Sequence, residues 1–252
     1  MKSKYITYLK RRSLYNDYAS SLSLGNTRLE SVISLKKELP FKRNILYTPY
    51  FPRNNQRYTV VTKHFKEYFG ETILDVGTRN NILSELLGRK CSLVDKNNPH
   101  LPEFNWEREK LPYKEDLFDT VVCLDVLEHV DNLHDAFNDL LRVSKKYIII
   151  SLPNNWKKTF NEFIKGRGRW PTYGIPLEKP KDRHKWFFNT EDAEDFIFYH
   201  STDQYSVRRI IYHIPKTILR IKLTYPILKI LLPERHYKNL FVETIFFVLE
   251  KK

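Results

Sequence analysis

Residues 111–130 have the sequence LPYKEDLFDTVVCLDVLEHV, and this stretch decides the fold. Its centre, Phe118–Leu124, is a mostly apolar run rich in β-branched residues, which predicts a strand. A run without polar alternation is typical of a strand that is buried on both faces of a parallel sheet. Asp125 and Glu128 follow directly, so both would lie just beyond the carboxyl end of that strand.

The segments on either side alternate between strand and helix patterns. Strands are predicted at residues 72–76, 91–94, 147–152, 205–212 and 241–249, and helices at residues 58–69, 81–87, 132–143 and 190–200. This alternation predicts an α/β fold, with a parallel sheet and helices on both faces.

Three segments depart from the pattern. Residues 1–40 look helical and polar, and residues 40–57 hold three prolines, so residues 1–57 are predicted to be a helical and extended cap before a domain at 58–252. Residues 154–187 are rich in glycine and proline and are predicted to form a lid. Residues 214–232 mix Ile and Leu with Lys and Arg, which favours helices packed on the sheet over an amphipathic helix on an anionic membrane.

The net charge of +13 is unevenly distributed, because an acidic block at residues 72–151 lies between two basic flanks. Basic surfaces suit nucleic acid, anionic lipid or an acidic substrate, and the alternative is an ordinary lysine-rich surface. The two cysteines, Cys91 and Cys123, lie in apolar runs and are predicted to be buried thiols. No signal peptide or spanning segment is predicted, so the expected location is cytoplasmic, with peripheral membrane contact as an alternative.

Polar residues follow three of the predicted strands. Asp75 and Gly77 end the first, Asp95 ends the second, and Asp125 follows the third. Ligands of open parallel sheets bind beyond the carboxyl ends of the strands, and an acidic residue about 20 positions after the first turn suits ribose hydroxyls. Asp95 has this spacing from Asp75. The alternative is that these acidic residues cap the helices that follow.

Four pieces of the sequence, in order, carry a resemblance to a known family: ILDVG at 73–77, LVD at 93–95, LPYKEDLFDTVVCLDVLEHV at 111–130 and RVSKKYIIISLPNN at 142–155. The chain resembles the class I S-adenosylmethionine-dependent methyltransferases, in the type 11-like branch that carries the Leu-Glu-His-Val motif. The resemblance implies a Rossmann-like, seven-stranded, mostly parallel sheet, S-adenosylmethionine as cofactor and a small-molecule or glycan/lipid-linked acceptor. The alternatives are an RNA methyltransferase and a non-catalytic binding protein of the same fold.

The resemblance also implies roles for individual residues. Asp75 and Gly77 would form the turn under the methionine moiety, Arg79 would pair with its carboxylate, and Asp95 would bind the ribose. Asn105 and Trp106 would lie near adenine, and Asp125 and Val126 would border the methionine and the methyl group. The chain departs from the family at the first turn, where Gly77 is followed by Thr78, Arg79, Asn80 and Asn81 rather than by further glycines.

Histidines are the candidates for catalysis. His129 and His184 are the possible general bases, and a structural hydrogen-bonding role is favoured for His129. No metal site is predicted, because no two histidines show helix-face spacing with a carboxylate.

Overall fold

The computed structural model describes residues 42–49, 56–78, 80–95, 104–167, 178, 182–201, 204–216 and 218–252. Its strands are β1 (Lys42–Pro49), β2 (Ile73–Val76), β3 (Ser92–Val94), β4 (Phe118–Leu124), β5 (Ser144–Pro153), β6 (Tyr205–Lys216) and β7 (Thr244–Lys251). Its helices are α1 (Gln56–His64), α2 (Ile82–Leu87), α3 (Leu133–Val143), α4 (Asn155–Ile164), α5 (Thr190–Ser201), α6 (Ile218–Leu231) and α7 (Glu234–Phe241), and short 3₁₀ helices span Lys66–Tyr68 and Leu127–His129.

The strands form one seven-stranded sheet in the order β1-β6-β7-β5-β4-β2-β3. β7 runs antiparallel to both of its neighbours, β5 and β6, and the other neighbouring pairs are parallel. The predicted α/β class, with a Rossmann-like, mostly parallel sheet, is therefore confirmed.

The edge strand β1 was not predicted. It pairs in parallel with β6, from Lys42 opposite Arg209 to Pro49 opposite Lys216, and it lies within the segment expected to be an extended connector. Residues 40–252 form one compact unit that includes this strand. An edge strand has only one neighbour and is partly solvated, so its sequence KRNILYTP lacks the apolar run that marks the central strands. The rest of the predicted cap, residues 1–41 and 50–55, lies outside the described residues.

Both faces of the sheet are buried. Val122 and Leu124 of β4 pack in one cluster with Val61 and Phe65 from the α1 region and with other buried residues. Val121 and Cys123, which alternate with them and point to the opposite face, are also fully buried. Helix α3 contacts β4 and β5, and α5 contacts β6 and β7. Cys91 and Cys123 are buried and unpaired, as predicted.

Two predicted segments contain regular structure. Helix α4 occupies the start of the predicted lid at residues 154–187, and residues 168–177 and 179–181 of that lid lie outside the described residues. In residues 214–232, β6 extends to Lys216 before α6 begins, and α6 contains Pro226. Within the described ranges, no helix is both long and apolar enough to cross a membrane.

Candidate active site

The carboxyl ends of β2, β3 and β4 meet at one edge of the sheet. In the register of these strands, Val76 lies opposite Val94 on one side and Cys123 on the other. The Gly77 amide donates a hydrogen bond to the Val94 carbonyl over 2.7 Å, which extends the pairing one residue past the strand. The polar residues that follow the three strands are thereby gathered at one place.

Gly77 occupies a position that only glycine fits. Its φ is +78°, in the left-handed region, and a Cβ there would lie 2.2 Å from Cγ2 of Val126. By contrast, the N-cap Asn81 has a φ of −80°, and Asn80 is not among the described residues with positive φ. Apart from Gly77, no described residue of this turn has a positive φ, so none of them has to be glycine. The further glycines that the family carries in this turn are therefore not required by the backbone of this chain. Arg79 lies outside the described residues.

Asp75 is a buried carboxyl group with an unfilled acceptor. Tyr58 Oη donates to its Oδ1 over 3.4 Å, while Oδ2 has no hydrogen-bond partner among the residues that the structure describes. The pKa of Asp75 is raised to about 8, mainly by burial and to a smaller extent by the charge of Asp95, while interactions with Tyr58 and Thr78 oppose the shift. A cationic group bound at this edge would favour the ionised form.

The raised pKa of Asp75 predicts how stability depends on pH. Between the unfolded pKa near 4 and the folded pKa of about 8, the folded chain retains a proton that the unfolded chain has lost, so this group makes stability fall as pH rises. The amide of Asp75→Asn does not ionise in either the folded or the unfolded chain. We therefore expect this variant to raise the melting temperature at pH 8 and to change it little at pH 4. Thermal denaturation across that range measures the effect, and equal shifts at both pH values would contradict it.

Asp125 is held rigidly in its ionised form. Its φ of +52° is unusual for a residue other than glycine, its Oδ1 accepts a 2.6 Å hydrogen bond from Ser151 Oγ, and its Oδ2 lies 2.6 Å from Nη1 of Arg57. Burial alone would raise the pKa of Asp125, but the charges of Arg57 and Lys158 and the Ser151 bond outweigh it, so the pKa lies below its ordinary value. The result is a fixed negative charge at the end of β4.

Three further predicted cofactor residues have defined surroundings. Asp95 directly follows β3 and is buried. Trp106 donates its indole N–H to Asp139 Oδ2 over 3.1 Å, so it could meet a ligand only through its ring. The backbone N–H of Glu107 donates a hydrogen bond to Oδ1 of Asn105 over 3.1 Å, so this side chain stabilises the local turn.

The two predicted bases are brought together, and Glu128 joins them. The rings of His129 and His184 meet edge-on with their centroids 4.6 Å apart, and His129 Nε2 lies 3.8 Å from Glu128 Oε1. The Glu128 carbonyl accepts the Lys185 amide over 2.7 Å, which fixes the chain around His184 beside β4. Burial, with the charges of Lys158 and His129, lowers the pKa of His184 to about 4, so this ring is neutral at pH 7.

Sequence reasoning missed four side chains of this edge: Arg57, Ser151, Lys158 and Asp182. Ser151 carried a usable signal, because it is the polar residue inside the buried apolar run of β5. Arg57 is 68 positions from Asp125, and Asp182 is 53 from His129, so no local spacing could reveal either pair.

A Rossmann-like sheet with acidic residues and a glycine turn beyond its parallel strands defines a class of ligand-binding enzymes. Comparison with protein families identifies this one: a model of a methyltransferase domain matches residues 41–196. The chain therefore belongs to this methyltransferase family and is an S-adenosylmethionine-dependent enzyme, as the sequence predicts. The narrower branch marked by the Leu-Glu-His-Val motif stays a prediction.

The chain is similar to solved methyltransferase structures. A S-adenosylmethionine-dependent methyltransferase from Archaeoglobus fulgidus is 16% identical with a TM-score of 0.50, and the alignment covers 79% of this chain and 95% of that one. The magnesium protoporphyrin IX methyltransferase from Synechocystis PCC 6803, solved with bound S-adenosylhomocysteine, is 15% identical with a TM-score of 0.46, covering 79% and 83%. No curated protein sequence matches the chain.

Proposed function

We propose that this edge binds S-adenosylmethionine through Asp75, Gly77, Asp95, Asp125 and Val126. The observation that carries the proposal is the pairing of β2 with β3. It places the Gly77 turn beside Asp95, while Asp75 is buried directly beneath with an unpartnered oxygen. Asp95 accepts the ribose hydroxyls, the turn supports the methionine moiety, and Val126 borders the methyl group. Arg79, Asn105 and Trp106 complete the proposed set at the carboxylate and the adenine.

The charge of the site supports this assignment. S-adenosylmethionine carries a sulfonium and an ammonium group against a single carboxylate, so its net charge is positive. The edge presents the acidic side chain of Asp95 and the fixed charge of Asp125, whose pKa is held below its ordinary value, and Asp75 would ionise as the cation binds. Acidic groups in a partly desolvated site attract such a cation more strongly than they would in water.

The proposed reaction is in-line transfer of the sulfonium methyl group. A lone pair of the acceptor forms a bond to the methyl carbon, the carbon–sulfur bond breaks, and its electron pair returns to sulfur to give S-adenosylhomocysteine. The sulfonium is already activated, so the protein mainly orients the acceptor and excludes water. A hydroxyl acceptor must also lose a proton, and the proposed base is the neutral imidazole of His184, with the ring of His129 beside it.

An apolar surface next to the site favours a small organic or glycan/lipid-linked acceptor. Helix α4 begins directly after β5, at the same edge of the sheet, and it exposes Trp156, Phe160 and Phe163. These residues lie at i, i+4 and i+7, so they share one face of the helix. Aromatic side chains of this kind contact apolar groups and sugar rings, which supports an acceptor with such a moiety.

Calorimetry with S-adenosylmethionine tests the proposal. We expect the folded protein to bind one equivalent, and we expect Asp95→Asn to weaken binding by about tenfold or more, since a charged hydrogen-bond acceptor is lost. Asp119→Asn, at the opposite end of β4, is the control and should leave the affinity unchanged. Failure of the folded wild-type chain to bind at millimolar cofactor would refute the function, and equal affinities of wild type and Asp95→Asn would refute the ribose role.

A further inference from the structure

The cluster beyond β4 has the composition of a metal site. One ligand atom from each of Glu128, His129 and His184 can be chosen so that all three lie within 4.8 Å of one another. Metal–ligand bonds of about 2.0–2.2 Å place two ligands of one ion roughly 3–4 Å apart. Small side-chain rotations would therefore bring the three atoms to coordinating distance.

Glu128 lacks the partners that a buried carboxylate needs. Its side chain is only 1% exposed, and its Oε2 has no hydrogen-bond partner within the part of the chain that the structure describes. A buried carboxyl group without a partner either stays protonated or is compensated by a paired cation or a metal ion. Without an ion, burial and the charge of Asp125 raise the pKa of Glu128 well above its ordinary value. Lys158 acts electrostatically on Glu128 and His184, but Glu128 Oε2 still has no hydrogen-bond partner within the described residues.

His129 is oriented as a metal ligand. Its Nδ1 is hydrogen-bonded to Asp182 Oδ1 over 2.9 Å, which directs Nε2 towards Glu128 Oε1, 3.8 Å away. A carboxylate on the far nitrogen of a histidine is the arrangement that fixes ring orientation and raises basicity in metal sites. Asp125, in contrast, is already engaged by Arg57 and Ser151, so it is not needed as a ligand.

We propose that Glu128, His129 and His184 bind one divalent transition-metal ion. Two imidazoles and one carboxylate suit ions such as Zn²⁺, Mn²⁺, Fe²⁺ or Co²⁺ and leave further coordination positions open. An ion beside Asp125 would lower the pKa of an acceptor hydroxyl bound to it, so in the metal-bound protein the ion, rather than the imidazole of His184, would promote loss of the proton; this role rests on the proposed methyl transfer. Sequence spacing could not show this site, because His184 is 55 positions from His129.

Metal titration without cofactor tests the site. Chelator-treated protein is titrated with Co²⁺ and with Zn²⁺ by calorimetry, and Co²⁺ binding is followed by visible absorption. We expect one equivalent per chain. Glu128→Gln and His184→Gln should abolish binding, and Asp182→Asn, which alters only an exposed supporting carboxylate, should weaken it 10- to 100-fold. Circular dichroism establishes that each variant is folded.

A second histidine pair provides the control. His134 Nδ1 and His200 Nε2 lie 2.8 Å apart on α3 and α5, and neither belongs to the cluster of Glu128, His129 and His184. His134→Ala should leave the affinity for Co²⁺ unchanged. Loss of Co²⁺ binding in this variant would show that the ion binds the second pair instead and would overturn the proposal. The proposal would also be overturned if the wild type did not bind Co²⁺, or if the Glu128 and His184 variants bound it as well as the wild type does. Calorimetry with S-adenosylmethionine on the metal-free protein separates failure of the metal site from failure of the proposed function, because the cofactor should bind whether or not the ion does.

Discussion

Gly77→Ala is expected to abolish measurable binding of S-adenosylmethionine and to destabilise the fold. The added Cβ would lie 2.2 Å from Cγ2 and 3.0 Å from Cγ1 of Val126, and the short, branched valine cannot move both atoms away. The residue would also have to keep a φ of +78°, which costs about 1–2 kcal/mol outside glycine. With an overpacking cost of about 1–3 kcal/mol, the free energy of unfolding should fall by roughly 2–5 kcal/mol.

Gly88→Ala separates the two causes. Gly88 has a similar φ of +65°, but a Cβ there would meet nothing within 4 Å. We expect this control to lower the free energy of unfolding only by the cost of the positive φ, about 1–2 kcal/mol, and to leave the cofactor affinity unchanged. Urea denaturation and cofactor calorimetry on both variants measure the difference. Equal losses of stability in the two variants would show that the contact with Val126 is not the reason why glycine is required at position 77. If that contact is the reason, adding Val126→Ala to Gly77→Ala should restore part of the stability.

The central strands could be predicted because their burial leaves a local mark in the sequence. β4 is observed at the predicted residues 118–124, and its apolar run reports burial on both faces. The edge strand β1 leaves no such mark, since one neighbour and partial solvation tolerate Lys42, Arg43 and Asn44. Residues 42–49 form a strand because β6 has an unpaired edge to which they can hydrogen-bond. That edge is a property of β6, so the local sequence of β1 does not predict it.

The same distinction applies to the site. The residues that directly follow strands, such as Asp75, Asp95 and Asp125, could be proposed from position alone. The side chains that set their charge come from distant segments, as with Arg57 on Asp125, and only the three-dimensional structure shows them. The scarcity of glycine in the first turn also has a structural account: Gly77 is the residue pressed against Val126, and Asn81 has an ordinary negative φ.

Arg57→Ala is expected to lower cofactor affinity and methyl transfer by at least about tenfold, because it removes the charge that holds Asp125 ionised. Burial of Asp125 remains and would raise its pKa, so the carboxylate would take up a proton at a higher pH than in wild type. The acid limb of the pH profile for cofactor binding should therefore move to higher pH. Arg57→Lys keeps the charge and should retain most of the wild-type profile.

Arg43→Ala is the matched control for this effect. The Arg57–Asp125 and Arg43–Glu194 pairs have nearly the same side-chain exposure, 36% and 13% against 39% and 10%, but Arg43 lies near the start of β1, far along the strand from the carboxyl edge. Each substitution leaves a largely buried carboxylate with one partner fewer, so both should lower the free energy of unfolding by about 1–3 kcal/mol, less than for a fully buried pair. Only Arg57→Ala should change cofactor affinity and its pH dependence. A similar loss of affinity in both variants would show that the effect of Arg57 is general destabilisation, and an unchanged acid limb in Arg57→Ala would show that Asp125 does not bind the cofactor as a carboxylate.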